Sequence, residues 1–77
     1  MTIKHKRRLS VDKIKEKVEG RRDLEIRPDH GYKVGDFVEY DNSENELIHV
    51  FEIVKTIPFS GKAGWLVLSE RYVGAAD

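Results

Sequence analysis

Residues 20–27, Gly-Arg-Arg-Asp-Leu-Glu-Ile-Arg, place three guanidinium groups and two carboxylates within eight positions. A guanidinium grips a phosphate or the edge of a base through two parallel hydrogen bonds. A carboxylate beside it accepts from an exocyclic amine. Gly20 lets the backbone turn sharply, so Arg21 and Arg22 sit at a bend where side chains converge. Glu25 and Arg27 are two residues apart and share one face of an extended strand, opposite Leu24 and Ile26. The spacing makes Arg21, Arg22, Glu25 and Arg27 the candidate ligand-binding groups. The competing reading is that Glu25 and Arg27 pair with each other or with neighbours across a sheet.

A second basic set lies near the start of the chain. In Ile-Lys-His-Lys-Arg-Arg-Leu, residues 3–9, a strand puts Ile3, His5, Arg7 and Leu9 on one face and Lys4, Lys6 and Arg8 on the other. The basic face must meet solvent or an anion, which adds Lys6 and Arg8 to the candidate ligand-binding residues, and His5 on the other face joins them. His5, His30 and His49 match no metal-ligand spacing, and with no cysteine beside them neither a metal nor any other cofactor is expected. The chain has no glycine-rich phosphate loop, and its serines stand in no nucleophile-elbow context.

Seventy-seven residues allow one domain, 1–77, with one small core. The absence of cysteine excludes disulfide staples and fits a reducing compartment. The longest apolar run, Trp65–Leu68, is four residues, too short to span a membrane as a helix. The basic N-terminus has no apolar segment behind it, unlike a secretory signal. A soluble, cytoplasmic protein with no membrane partner is expected. Net charge is zero, yet residues 1–22 carry nine Lys/Arg and three Asp/Glu, and residues 23–77 carry five and eleven. Such a division favours a polyanion partner for the basic half. Equally, it allows the two halves to neutralise each other within the fold.

The elements that must position these groups follow from periodicity. Val11, Ile14 and Val18 form one apolar stripe, predicting a helix over 11–19 capped by Ser10 or Asp12 and ended by Gly20. Lys13, Lys15 and Lys17 are expected to point away from that stripe. Strands are expected over 22–27, with Leu24 and Ile26 seeding the core, and over 37–40. Two more are expected over 46–57 and 65–70. Pro28–Gly31 reads as a turn, and 41–45 as a polar hairpin loop. Apolar residues at both parities in 46–57 predict a bulge or burial on both faces. The aromatics, Phe59 and Trp65 included, are expected mostly in the core, and 73–77 as a loose tail. One helix after the first strand, followed by a run of strands, indicates an α+β fold of about five short strands in a small curved sheet or barrel.

The run Val18–Arg27 resembles the motif of the ASCH domain in the PUA-like superfamily, roughly Gly-x-Lys-x-x-Glu-x-Arg. Gly20, Glu25 and Arg27 match, and Arg22 stands where Lys is usual. Tyr32-Lys-Val-Gly-Asp36 is similar to that family's turn into the next strand, and Gly64–Ser69 to its closing strand. His5 stands where a small prokaryotic and phage subgroup of unknown function often has His. The resemblance implies a PUA-like pseudo-barrel with its ligand cleft at the helix-to-strand junction, and RNA as a partner. It also implies that some small relatives hydrolyse N4-acetylcytidine with a Lys, a Thr and a Glu. The positions matching the Lys and Thr are Arg22 and Glu25. An arginine stays protonated and cannot serve as general base.

Three functions are therefore expected. The first is an RNA- or nucleotide-binding module. The alternative is a small amidohydrolase of a modified nucleoside such as N4-acetylcytidine, with Glu25 as base toward water and Arg22 as charge stabiliser. The third is a protein-interaction domain that pairs through exposed edge strands.

Overall fold

A computed structural model describes residues 3–41 and 48–76. The element order is β1 (Ile3–Arg8), α1 (Val11–Val18), β2 (Leu24–Pro28), β3 (Phe37–Asp41), β4 (Ile48–Pro58) and β5 (Trp65–Ala76). The five strands form one mixed sheet in the order β1-β3-β4-β5-β2, a small half-barrel with one helix after its first strand. β1 runs parallel to β3, and every other neighbouring pair is antiparallel. β1 and β2 are thus the two edges.

Local chemistry accounts for the helix. The Ser10 side chain accepts the Lys13 backbone N–H, which caps α1 at the expected residue. At the other end Gly20 takes φ 78°, while its N–H donates to Lys17 O and the Arg21 N–H to Glu16 O. This pair of bonds is the Schellman arrangement, which satisfies the last carbonyls and turns the chain toward β2. A helix of eight residues does not hold by itself. Ile14 is buried in the core, and Val18 packs against it.

The core joins Ile14, Tyr32, Val38, Tyr40, Phe51, Ile53 and Leu68, with Leu9, Val18, Leu66 and Tyr72 around them. Tyr40 meets Phe51 edge to face at 5.4 Å, and Phe51 meets Tyr72 at 5.2 Å. In β4 both Val50 and Phe51 are buried. Register shifts at Val50/Phe51 and Ile53/Lys55 reverse which side chains point inward, the irregularity expected from the mixed parity.

Three expectations are corrected. Leu24 and Ile26 lie outward, 55% and 45% exposed, while Glu25 between them is buried. The face of β2 is therefore the reverse of the expected one. Phe59 and Trp65 are half-buried and lie outside the core cluster. Leu66, Leu68 and Glu70 take the inward parity of β5, leaving Trp65 outward beneath the Lys62 ammonium at 4.4 Å. Lastly, the expected tail extends β5, because Gly74, Ala75 and Ala76 pair with Val50, His49 and Ile48. Of the expected 41–45 loop, Asp41 ends β3 and residues 42–45 lie outside the described residues, as do 46–47 of the expected fourth strand. No helix of the described residues is long and apolar enough to cross a membrane.

The alternation in β4 gives a direct test. Ile53→Ala removes a side chain with no exposure and is expected to cost about 2–5 kcal/mol. Val54→Ala, at an exposed neighbour, is expected to change stability by less than about 0.5 kcal/mol. Urea unfolding of the two variants beside the parent measures both.

Candidate functional site

The site is built where α1, β2, β3 and β5 meet. Lys17 projects from the helix face next to Ile14 and Val18 and is 3% exposed. Its ammonium lies 2.6 Å from Glu70 Oε1 and 3.3 Å from Glu25 Oε1. It also lies 4.9 Å from the ring centroids of both Tyr40 and Phe51, where the negative ring faces favour a cation. Glu25 and Leu68 are paired across β2 and β5, and Glu70 is the next inward residue of β5. The Tyr40 hydroxyl donates to Glu70, 2.9 and 2.8 Å from its two oxygens. Among the described residues no buried side-chain nitrogen or oxygen lacks a partner. A charge cluster this deep persists only because each group has one.

Glu25 links this interior to the surface. Arg22 Nε lies 3.1 Å from Glu25 Oε1, and Arg27 Nη2 lies 3.1 Å from Oε2. The two guanidiniums are partly exposed, with side chains at 36% and 25%. Burial pushes the Glu25 carboxyl up, but the Arg22 hydrogen bond and the Lys17 and Arg27 charges outweigh it and hold the group below its ordinary value. The Arg22 pKa is raised by that hydrogen bond and by the Glu25 charge. Burial first, and the Glu70 carboxylate second, push the Tyr40 hydroxyl far up, so it serves as a hydrogen-bond donor and stays neutral.

Three cations face two carboxylates here, leaving one positive charge, and the N–H donors that remain open are on Arg22 and Arg27. Of the predicted ligand residues, Arg22, Glu25 and Arg27 are brought together as expected. Glu25, expected to face a ligand, is instead buried at 2% exposure and holds the two partly exposed guanidiniums. Arg21 turns away and pairs with Glu19 at 2.8 Å.

His5, Lys6 and Arg8 are on β1, the opposite edge of the sheet from β2. His5 turns inward, its Nε2 3.0 Å from Asp36 Oδ2 and its ring 4.4 Å from that of Tyr32. Next to it the Arg7 guanidinium donates to the Tyr32 hydroxyl. The His5 hydrogen bond, helped by the Lys33 N–H, holds Asp36 below its ordinary carboxyl value despite burial. Lys6 reaches Glu39 at 4.0 Å and Arg8 reaches Asp41 at 3.2 Å, each opposite its partner in the β1–β3 register. Lys4 lies 3.8 Å from Asp36. The basic face of β1 is thus answered by acids of β3. Counting Lys17 and Arg22, five cations of residues 1–22 are paired with carboxylates of residues 23–77. The opposed charges of the two halves largely serve the fold.

Lys17, Tyr40 and Glu70 are absent from the predicted site. Lys17, expected outward with Lys13 and Lys15, is buried because it stands three residues after Ile14 and borders the apolar stripe. Glu70 continues the inward parity of Leu66 and Leu68, and Tyr40 that of Val38. Each position was therefore readable as inward-facing, but not the polar network that makes burial tolerable. Among the described residues no group of three or more His, Asp or Glu could hold a metal ion. A scan against protein-family models finds no match to this chain, and a search of curated proteins finds none.

Two outcomes check this geometry. Lys17→Met leaves Glu25 and Glu70 buried without the central ammonium and is expected to destabilise the fold by about 3–5 kcal/mol at pH 7. The depressed carboxyls of Glu25 and Asp36 contribute stability that is fully present above their ordinary values of 4.5 and 3.8 and is lost as pH falls through their lower folded values. Urea midpoints are therefore expected to fall steeply on acidification below about pH 4.5, and less steeply in Glu25→Gln.

Proposed function

We propose that this domain binds RNA or a nucleotide through the paired guanidiniums of Arg22 and Arg27 at the helix-to-strand junction. The observation that carries the reading is that one buried carboxylate, Glu25, holds both groups at the surface. Arg22 uses Nε for this contact, and its remaining donors are open to a ligand. A fork of donors with its side chains already fixed loses little freedom on binding, which favours a phosphate or a base edge. The surplus positive charge of the cluster suits an anion. The ASCH resemblance supports the same place and the same class of ligand.

The ion pairing of β1 narrows this proposal. Lys4, Lys6 and Arg8 are engaged by Asp36, Glu39 and Asp41, so a long basic track is not the basis of recognition. The ligand is accordingly small, one nucleotide or a short single strand. Hydrolysis of N4-acetylcytidine is the less favoured reading. A carboxylate held below its ordinary pKa by three cations is a weak base toward water, and Arg22 is fixed in its charged form.

Titration of short single-stranded RNA across salt tests the proposal. Two phosphate contacts predict a slope of log K against log salt of about −1.4, reduced by roughly half in Arg22→Ala or Arg27→Ala. No binding at low salt, or a slope untouched by either substitution, would overturn it. In the same panel N4-acetylcytidine is expected to remain intact over hours. Deacetylation that disappears in Glu25→Gln would establish the hydrolase instead.

A further inference from the structure

We propose that β2 is a self-complementary edge through which two copies of this chain pair antiparallel, Leu24 of one opposite Ile26 of the other. The two edges of the sheet differ in kind. β1 presents Lys4, Lys6 and Arg8, charged side chains of the sort that block edge pairing. β2 has neither lysine nor bulge, and Leu24 and Ile26 project from it into solvent. On the same outer face Ile26 is paired with Val67, and Val67 with Ile57, itself 45% exposed. An apolar row thus runs to the open edge.

The backbone settles which groups are open. The Glu70 N–H donates to Asp23 O and the Asp29 N–H to Gly64 O. In an antiparallel ladder hydrogen-bonded residues alternate, so Asp23, Glu25 and Arg27 bond toward β5. Leu24 and Ile26 therefore turn their N–H and C=O groups to the free edge, where the Ile26 C=O also accepts from Arg27 Nη1 at 3.4 Å, a long bond that leaves its second lone pair for a partner strand. Pro28, which has no N–H, occupies the next free-edge position and ends the strand.

The occupant follows from register. When β2 meets a second β2 about a two-fold axis at Glu25, Leu24 and Ile26 of each chain face Ile26 and Leu24 of the other. That arrangement closes four backbone hydrogen bonds and leaves none of those free-edge groups unpaired. The same register sets Asp23 opposite Arg27 at both ends, opposite charges directly across the pair. The two Glu25 residues meet at the centre, each already neutralised by Lys17, Arg22 and Arg27 of its own chain. An unrelated strand can close the backbone bonds, whereas Asp-Leu-Glu-Ile-Arg also matches its apolar and charged side chains with itself. The contact is small, so the dimer is expected to dissociate with a constant on the order of 100 µM. The inference does not rest on the nucleotide-binding reading.

Sedimentation of the full chain from about 10 µM to 1 mM tests it, a range that brackets such a constant. The average mass is expected to rise from 8.9 kDa toward twice that value. Leu24→Glu and Ile26→Lys, both at exposed positions, are each expected to stay monomeric, because each places a charge against an apolar side chain. Mixed together they are expected to associate, since position 24 of one meets position 26 of the other. On the parent chain, amide exchange at Leu24 and Ile26 is expected to slow about fourfold across that range, with Glu25 and Arg27 unchanged. A chain monomeric throughout, variants that self-associate like the parent, or exchange at Leu24 and Ile26 independent of concentration would each overturn the proposal.

Discussion

The ammonium of Lys17 between Glu25 and Glu70 is the constraint on which the remainder of the structure depends. A charge with no side-chain exposure is tolerated only with close opposite charge and complete hydrogen bonding. Meeting that condition requires the end of α1, the middle of β2 and the inward face of β5 to come within hydrogen-bonding distance of one point. Tyr40 adds β3 by donating to Glu70. One ion cluster therefore joins the helix to both the centre and the far edge of the sheet. The apolar contacts of Ile14 and Val18 press the helix against the core, whereas the cluster fixes its register along the axis.

The same cluster connects fold to function through Glu25. One carboxylate takes Lys17 from within and Arg22 and Arg27 from the surface side. The guanidiniums are thereby positioned by the interior of the protein. Any loss of the buried pair disturbs both stability and the proposed binding groups. The residue expected to contact a ligand is instead buried beneath the two guanidiniums, and Lys6 and Arg8 of the basic strand each have an acid of β3 within 4.0 Å.

The β2 face is reversed within an architecture that keeps the expected one helix after the first strand and a small curved sheet of five strands. Leu24 and Ile26 alternate with charged residues, a pattern that ordinarily puts the apolar set inside. Here three cations compensate the buried carboxylate, so the charged face turns inward and the apolar one outward. Outward, those side chains flank an edge whose hydrogen-bonding groups are open. The outcome that contradicts the local rule is the one that leaves β2 suited to a second copy of itself.

Local sequence sufficed for most elements: a helix start at Ser10 or Asp12, its stop at Gly20, the strands after it, and a bulge or two-sided burial in β4. These follow from capping, glycine conformation and periodicity, all of which act within a few residues. Strand spacing also puts Glu25 and Arg27 on one face, with Arg22 at the bend just before them. Long-range packing set which face of β2 is buried, brought Lys17 and Glu70 into the cluster, and put Glu39 and Asp41 beside Lys6 and Arg8. Glu70 lies fifty-three residues from Lys17 in the chain. Whether a buried charge is stable depends on such a distant partner, and no local pattern around Lys17 records where that partner will be.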